Sequence, residues 1–317
     1  MKAAIVVEAG RAPVYGEFAD PAPALGKSVI RVTAASLSHV TRSRAAGTHY
    51  SSGRAPHFIP GIDGTGVAED GRRVYFALPE PPYGALAERC LVDEANRIAL
   101  PGDLDDVSAA AMAIPGMSSW AALAERAQLQ PGETVLVNGA TGTSGRLAIQ
   151  IARHLGAKRV VATGRRVASF DELGRLGADA IVSLAQERDA LEHAFAAELR
   201  RGVDVVLDYL WGASAETLLI AAAKAGPEGI PIRYVQIGSS GGANVQLPSA
   251  VLRSSALQLM GSGIGSIPFP RLLKAIEGVL GAASRAGFEV ATEVVPLADV
   301  TRAWLAGDRG ARIVFVP

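Results

Sequence analysis

The chain has 317 residues, of which 49% are apolar, and this size predicts two domains with buried cores. Its 31 basic and 31 acidic residues balance to a formal net charge of zero, which argues against a nucleic-acid-binding protein. The single cysteine, Cys90, excludes an intrachain disulfide and a cysteine-rich structural zinc site. Because no apolar run has the length of a secretory signal or a membrane span, we expect a cytoplasmic protein without membrane contact.

Residues 1–115 have the pattern of a β-rich domain. Short apolar or alternating runs are separated by clusters of Gly, Pro and Asp, which predicts a twisted antiparallel sheet or a partial barrel. The predicted strands are Ala3–Val7, Val29–Ala34, Arg73–Phe76 and Ala87–Val92.

After Pro115 and Gly116 the pattern changes to alternating helices and strands. Apolar spacing predicts a first helix over Ser118–Gln128. The alternation that follows indicates right-handed βαβ units and a parallel, doubly wound sheet. Predicted strands are Thr134–Val137, Arg159–Ala162, Ala180–Ser183, Val203–Asp208 and Arg233–Ile237, with helices near Phe170–Leu176, Arg188–Arg200 and Ala215–Ala225. We expect the mixed final segment to return to the first domain, which gives predicted domains of 1–116 with 265–317, and 117–264.

A glycine-rich turn is the strongest functional motif. It lies between a buried strand and an amphipathic helix and reads Asn138-Gly139-Ala140-Thr141-Gly142-Thr143-Ser144-Gly145. Small residues at this spacing permit a tight turn and close approach of a diphosphate to the N–H groups of the helix N-terminus. The motif therefore predicts a dinucleotide-binding domain of Rossmann type; the alternative is an ordinary strand–helix turn without a ligand.

The end of the next strand distinguishes between the two nicotinamide dinucleotides. Sites for NAD usually have an acidic residue there, which binds the ribose 2′-hydroxyl. This chain has Thr163-Gly164-Arg165-Arg166 instead. Arginine binds phosphate bidentately, so the pair favours NADPH through its 2′-phosphate, unless both side chains are ordinary surface arginines.

Several segments together carry a family resemblance: Gly132–Gly145, Ala148–Gly156, Leu176–Asp179, Ile59–Val67, Gly84–Glu88, Val203–Asp208 and Arg312–Pro317. On these segments the whole chain resembles the zinc-free quinone oxidoreductase group of the medium-chain dehydrogenase/reductases. The resemblance implies a GroES-like catalytic domain, an inserted Rossmann domain and a cleft between them. It also implies a homodimer that uses NADPH to reduce a small-molecule substrate, a quinone or another α,β-unsaturated carbonyl.

The sequence departs from the zinc alcohol dehydrogenases of the same superfamily. Ser36–His39 contains no cysteine where their first metal ligand falls, and Gly61-Ile62-Asp63 replaces their Gly-His-Glu motif. Their four-cysteine lobe is also missing. His39 and Asp63 would supply only two of the three protein ligands that a catalytic zinc requires, so we expect no metal.

The resemblance also implies site residues. Tyr50 matches a tyrosine that lines the family pocket, Ser38 stands where the family often has Asn, and His39 stands where it commonly has Pro. Each is a candidate donor to the developing enolate oxygen, although a packing tyrosine and a surface histidine are the alternatives. Cofactor contacts carried over by motif are Ser118 at the nicotinamide end, Ile237-Gly238-Ser239 at the carboxamide, Gly261-Ser262-Gly263 at the ribose and Tyr209 at the adenine.

Two other functions remain open on the sequence. One is a non-catalytic NADPH-binding protein, either crystallin-like or redox-sensing. The other is a reductase of carrier-bound enoyl thioesters, for which Arg42, Arg44 and Arg54 would form a docking surface.

Overall fold

The computed structural model describes residues 1–48, 57–306 and 310–317. The chain divides into two compact units, Met1–Ile114 with Leu280–Pro317, and Pro115–Val279. The second unit thus extends to Val279, whereas the predicted Rossmann domain ended at residue 264. The physical reason is a small apolar cluster of this unit, in which Ile267, Leu272 and Ala275 pack with Ala121.

The first part of the chain is mainly β-structure and ends in a long helix. Its elements are β1 (Lys2–Ile5), β2 (Val14–Glu17), β3 (Lys27–Ser36), α1 (His39–Ala45), β4 (Asp63–Val67), β5 (Arg73–Ala77), β6 (Arg89–Asp93), β7 (Arg97–Ala99) and α2 (Asp106–Ala121).

Strands and helices then alternate through the second unit, and the chain ends in β-structure. The elements are β8 (Thr134–Asn138), α3 (Thr143–His154), β9 (Arg159–Gly164), α4 (Phe170–Arg175), β10 (Ala180–Ser183), α5 (Arg188–Arg200), β11 (Val205–Asp208), α6 (Gly212–Ala225), β12 (Ile232–Gln236), α7 (Ser249–Arg253), β13 (Leu257–Gly261), α8 (Phe269–Ala286), β14 (Thr292–Pro296), α9 (Val300–Ala306) and β15 (Arg312–Val316).

The first unit contains a mostly antiparallel sheet of seven strands. Six strands follow the order β14-β15-β3-β4-β5-β7, and β6 pairs with β3. The C-terminal strand completes this sheet, because β15 runs antiparallel to β3 with Val314 opposite Ser36. Its buried core includes Ile30, Phe76, Leu86, Trp304 and Phe315.

The second unit is built on a six-stranded parallel sheet in the order β10-β9-β8-β11-β12-β13. From β8 the chain proceeds to β9 and β10 on one side, and then returns to β11 on the other. Ligands of open parallel sheets bind at such a reversal, outside the carboxyl ends of the strands. The two sheets confirm the predicted fold class, a β-rich domain of GroES-like type and a Rossmann domain.

Helix α2 is where the sequence prediction was wrong. The predicted helix began after Pro115 and Gly116, but α2 begins at Asp106 and includes both residues. Asp105 supplies the starting signal, because its carboxylate accepts a hydrogen bond from the N–H of Ser108 at 2.8 Å. Ala109–Ala113 are buried, so tertiary packing of an alanine-rich face outweighs the cost of an interior proline.

Helix α2 continues into a π-helical turn, Ala122–Ala127. Together they form a 22-residue helix that is long and apolar enough to cross a bilayer, and 61% of its most apolar window is buried within the protein. That burial is typical of a core helix.

Candidate functional site

The glycine-rich turn connects β8 to α3 at the carboxyl edge of the parallel sheet. Gly139 has a φ of +93°, a conformation that glycine adopts without strain. A Cβ at Gly145 would clash with the carbonyl oxygen of Gly139 and lie 2.6 Å from the Cα of Ala140. These two positions therefore require glycine, and the turn folds back tightly over the start of the helix.

The N-terminus of α3 is open to a ligand. Gly142 is its N-cap residue, and among the described residues this helix start has no capping hydrogen bond from an N-cap side chain. An ideal Cβ at Gly142 would meet no atom within 4 Å, so the space before the helix is free. Thr141, Thr143 and Ser144 are partly buried beside this space. The N–H groups of the first turn of α3 thus fit an anionic group such as a diphosphate.

The side chain of Asn138 does not face this space. It is fully buried, and its amide nitrogen donates to Asp208 Oδ1 at 2.9 Å and to Ser214 Oγ at 3.1 Å. Its amide oxygen accepts a hydrogen bond from the Thr163 hydroxyl at 2.9 Å. The side-chain polar atoms of Asn138 are thus hydrogen-bonded inside the protein. Together with Thr163, whose hydroxyl accepts the N–H of Gly139, Asn138 stabilises the turn from its buried side.

The end of β9 carries the predicted phosphate-binding residues. A Cβ at Gly164 would lie 2.5 Å from Thr141 Cγ2, so this strand end and the glycine turn are in close contact. Arg165 and Arg166 are both exposed. Within the described part of the chain neither guanidinium has an ion pair or a hydrogen bond. Both remain available to bind an external anion.

The ends of β11 and β12 bring together other predicted contacts. The Ser118 hydroxyl donates to the carbonyl of Pro115 at 2.7 Å and lies 3.5 Å from the Tyr209 hydroxyl. Burial raises the pKa of Tyr209 to about 12, so this phenol keeps its proton at neutral pH. Gly238 approaches the same place, since a Cβ there would lie 2.6 Å from the Tyr209 carbonyl oxygen.

The remaining predicted cofactor residues lie at the same edge of the sheet. Ile237 and Gly238 are partly buried, whereas Ser239 is exposed. After β13, the N–H of Ser262 donates to the carbonyl of Gln236 at 2.9 Å, and the Arg126 guanidinium donates to the carbonyl of Gly261 at 2.8 Å. Gly263 follows this anchored segment.

The predicted hydrogen-bond donors to the enolate oxygen belong to the first unit and have different surroundings. Ser38 is buried as the N-cap of α1: its Oγ accepts from the N–H of Thr41 and donates to the Thr41 hydroxyl, both at 2.9 Å. Both hydrogen-bonding functions of Ser38 are therefore used within α1. His39 is exposed at the start of this helix. Tyr50 lies outside the described residues.

A buried acid, Asp63, stands at the start of β4. The Tyr75 hydroxyl donates to its Oδ2 at 3.2 Å, whereas Oδ1 has no hydrogen-bond partner among residues 1–48, 57–306 and 310–317. Burial raises the pKa of Asp63 to about 7, although the Arg312 charge and the Tyr75 hydrogen bond oppose this rise. From the sequence, Asp63 was considered only as a possible metal ligand.

Asp63 makes stability depend on pH. The folded carboxyl keeps its proton up to about pH 7, whereas the unfolded group loses it near 3.8. The contribution of protonated Asp63 to the free energy of unfolding is therefore complete below the unfolded pKa of 3.8. It is lost as the pH rises through the folded pKa of about 7. The steepest loss is about 1.4 kcal/mol per pH unit.

We expect Asp63→Asn to remove this dependence, because the amide cannot ionise. Urea unfolding of both proteins should be compared between about pH 5 and 8, so that all other titrating groups cancel in the difference. Parallel stability curves for the two proteins would contradict the expectation.

The described residues contain no group of three or more His, Cys, Asp or Glu side chains that could hold a metal ion. The chain's one thiol, Cys90, is fully buried in β6, and burial raises its pKa well above the usual value. A cysteine that binds zinc has to be a thiolate, so Cys90 does not fit that role.

Comparison with known proteins agrees with this geometry. Residues 145–278 match the family model described as zinc-binding dehydrogenase. A probable NADPH-dependent quinone reductase of Emericella nidulans is 31% identical, with 96% of each chain covered. A polyketide synthase of Streptomyces halstedii is 35% identical over 60% of this chain and 3% of its own length.

A solved structure gives the same relationship. The quinone oxidoreductase from Thermus thermophilus, whose structures include a complex with NADPH, has a TM-score of 0.83 and 29% identity, with all of both chains covered. The identity to the Emericella nidulans protein extends over nearly all of both chains, and both units have the family's fold. The chain therefore belongs to the quinone oxidoreductase group of the medium-chain dehydrogenase/reductase family.

Proposed function

We propose that this protein is an NADPH-dependent oxidoreductase that transfers hydride to a quinone or another α,β-unsaturated carbonyl without zinc. The observation that carries the proposal is the open N-terminus of α3 beside two exposed arginines with no partner among the described residues. The N–H groups at the start of α3 suit a diphosphate, and the two guanidinium groups suit an additional phosphate. The names of the Emericella nidulans and Thermus thermophilus relatives support the same cofactor and acceptor.

The chain's own residues would bind and orient the cofactor. Backbone N–H groups of Gly142–Gly145 bind the diphosphate, and Arg165 and Arg166 bind the 2′-phosphate. When bound, NADPH supplies the hydride from its nicotinamide ring. The chain's contribution to rate is then placement of the two reacting carbons and exclusion of water.

The hydroxyl oxygens of Ser118 and Tyr209 lie 3.5 Å apart, which supports one end of the cofactor for both, whereas Tyr209 was predicted at the adenine. We assign both to the nicotinamide half. Strand β9, which carries the arginine pair for the adenosine half, lies two strands away from β11, on the far side of β8.

The developing enolate oxygen of the acceptor needs a hydrogen-bond donor. Tyr50 and His39 are the donors we propose from the first unit, because the Ser38 hydroxyl already donates within α1. The proposal is independent of zinc, because Cys90 is buried and neither His39 nor Asp63 lies in a metal-binding group within the described residues. We also propose that the protein is a cytoplasmic homodimer.

Purified protein should oxidise NADPH in the presence of a quinone or an enone. Absorbance of the reduced nicotinamide would be followed with quinones, enals, enones and enoyl thioesters, using NADPH and NADH in parallel. We expect kcat/KM to be at least about tenfold higher with NADPH, and unchanged by a metal chelator. Activity that a chelator removes and zinc restores would contradict the zinc-free mechanism.

The same assay separates the two other candidate functions. Tight NADPH binding without oxidation by any acceptor would indicate a non-catalytic binding protein. Oxidation of NADPH with enoyl thioesters alone would indicate the enoyl-thioester reductase, which the match to a polyketide synthase favours. Its proposed docking arginines receive less support, because Arg42 donates to the Trp304 carbonyl and stacks on that ring, and Arg54 lies outside the described residues.

A further inference from the structure

Asp208 is a fully buried carboxylate at the end of β11 that has no role in the proposed binding steps. It accepts hydrogen bonds from four groups. Two are side chains, Asn138 Nδ2 at 2.9 Å and the Tyr234 hydroxyl at 2.8 Å. Two are the backbone N–H groups of Leu210 and Trp211, at 3.0 and 3.1 Å. This number of donors on one buried carboxylate indicates a highly organised centre.

Hydrogen bonds connect Asp208 to the glycine turn. Asn138, held by Asp208, accepts the Thr163 hydroxyl hydrogen. The Thr163 oxygen in turn accepts the N–H of Gly139 at 2.9 Å. Three consecutive hydrogen bonds therefore join Asp208 to Gly139, the residue of the turn that has the positive φ.

Asp208 also holds the loop after β11, which has a strained backbone conformation at Trp211. Trp211 has φ +58° and ψ −158°, a region that residues other than glycine rarely occupy. Its N–H is fixed by the Asp208 carboxylate. This loop is fastened to the loop after β12, because the N–H of Gly241 donates to the Leu210 carbonyl at 2.7 Å.

We propose that Asp208 is a positioning residue that sets both walls of the dinucleotide crevice at once: the turn at Gly139 and the loop that begins with Tyr209. The inference rests on the proposed function for the identity of the ligand. The same carboxylate holds two segments that β8 and β11 place side by side, so its loss would displace both. Asp208 does not itself contact the ligand in this role.

Asp204 provides a matched control, because it lies at the opposite end of β11 from Asp208 and therefore at the opposite edge of the parallel sheet. Asp204, just before β11, accepts a hydrogen bond from the N–H of Thr134 at 2.8 Å. It is also a carboxylate that joins the segments of β8 and β11, but at the amino ends of the strands. Its removal should therefore affect stability without affecting the crevice.

Asp208→Ala is expected to weaken NADPH binding at least about tenfold, measured by calorimetry, whereas Asp204→Ala binds as the wild type does. Asp208→Asn should recover most of the affinity, because its amide nitrogen can donate to the Tyr234 oxygen while its oxygen accepts the other hydrogen bonds. Wild-type affinity in Asp208→Ala, or an equal loss in Asp204→Ala, would overturn the proposal.

Amide hydrogen exchange without NADPH provides a readout that does not depend on the cofactor. Asp208→Ala should accelerate exchange at Gly139, Leu210 and Trp211 relative to Asp204→Ala. If Asp208→Ala does not fold, Tyr234→Phe replaces it in this measurement, because it removes one of the hydrogen bonds to Asp208. Unchanged exchange would refute the positioning role. If the wild type binds no NADPH and Asp208→Ala still shows altered exchange, the positioning role is retained and the proposed function is refuted.

Discussion

Replacing Gly145 by alanine is expected to abolish measurable NADPH binding and to lower stability. The added methyl group would clash with the Gly139 carbonyl oxygen and lie 2.6 Å from the Ala140 Cα, which are backbone atoms of the same turn. Since neither atom belongs to a flexible side chain, the turn itself has to move. Overpacking of this kind typically costs about 1–3 kcal/mol, and the N–H groups proposed to bind the diphosphate would be displaced with it.

Gly142→Ala separates the two effects. A Cβ at Gly142 meets no atom within 4 Å and the residue has φ −82°, so we expect normal folding. The methyl group would enter the space where the diphosphate is proposed to bind, and the NADPH dissociation constant should rise by about 10- to 100-fold.

Gly174→Ala is the control for both variants. Gly174 lies in α4 with open space around it, so alanine should leave binding unchanged and raise helix stability by about 0.5–1 kcal/mol. Calorimetry and urea unfolding of the three variants test the assignment. Wild-type NADPH affinity in both Gly142→Ala and Gly145→Ala would mean that the diphosphate binds elsewhere.

The parallel sheet and its glycine turn were predictable from the sequence because they depend on local rules. Strand β8, the turn and α3 are contiguous, and each has a distinct period or spacing. Helix α2 was predicted to begin too late because Pro115 and Gly116 are strong local breakers. Its actual start depends on the Asp105 cap and on packing of Ala109–Ala113, and packing is not visible in local pattern.

The functions of individual polar residues were less predictable than their positions. Asn138 was predicted to bind the cofactor because it adjoins the turn, but its amide is hydrogen-bonded to Asp208, 70 positions further along the chain. Ser38 was predicted as a hydrogen-bond donor to the enolate oxygen, and it caps α1. In both cases the side chain has hydrogen-bond partners inside the protein, and its contact with cofactor or substrate stays a prediction. The acid at the end of β11 was visible in the sequence, but the four donors around it were not.

Removing both guanidinium groups in the double variant Arg165→Ala with Arg166→Ala is expected to change cofactor preference. NADPH affinity should fall by about 10- to 100-fold, because charge-assisted hydrogen bonds to phosphate contribute about 1.5–3 kcal/mol and exposed pairs lie at the low end. NADH lacks the 2′-phosphate, so its affinity should remain within about twofold. In titrations at rising salt, NADPH binding to the wild type should weaken more steeply than binding to the variant.

Two controls distinguish phosphate recognition from a general effect of charge. Arg200 is an exposed arginine at the end of α5, before β11, and therefore at the amino edge of the same sheet. Arg200→Ala should not alter the preference. Lysine at both positions 165 and 166 should retain charge but lose bidentate geometry, and give an intermediate NADPH affinity. An equal loss of NADPH and NADH affinity in the double alanine variant would mean that the pair supports the fold of the strand end. In that case the discrimination between cofactors would have to arise at another position.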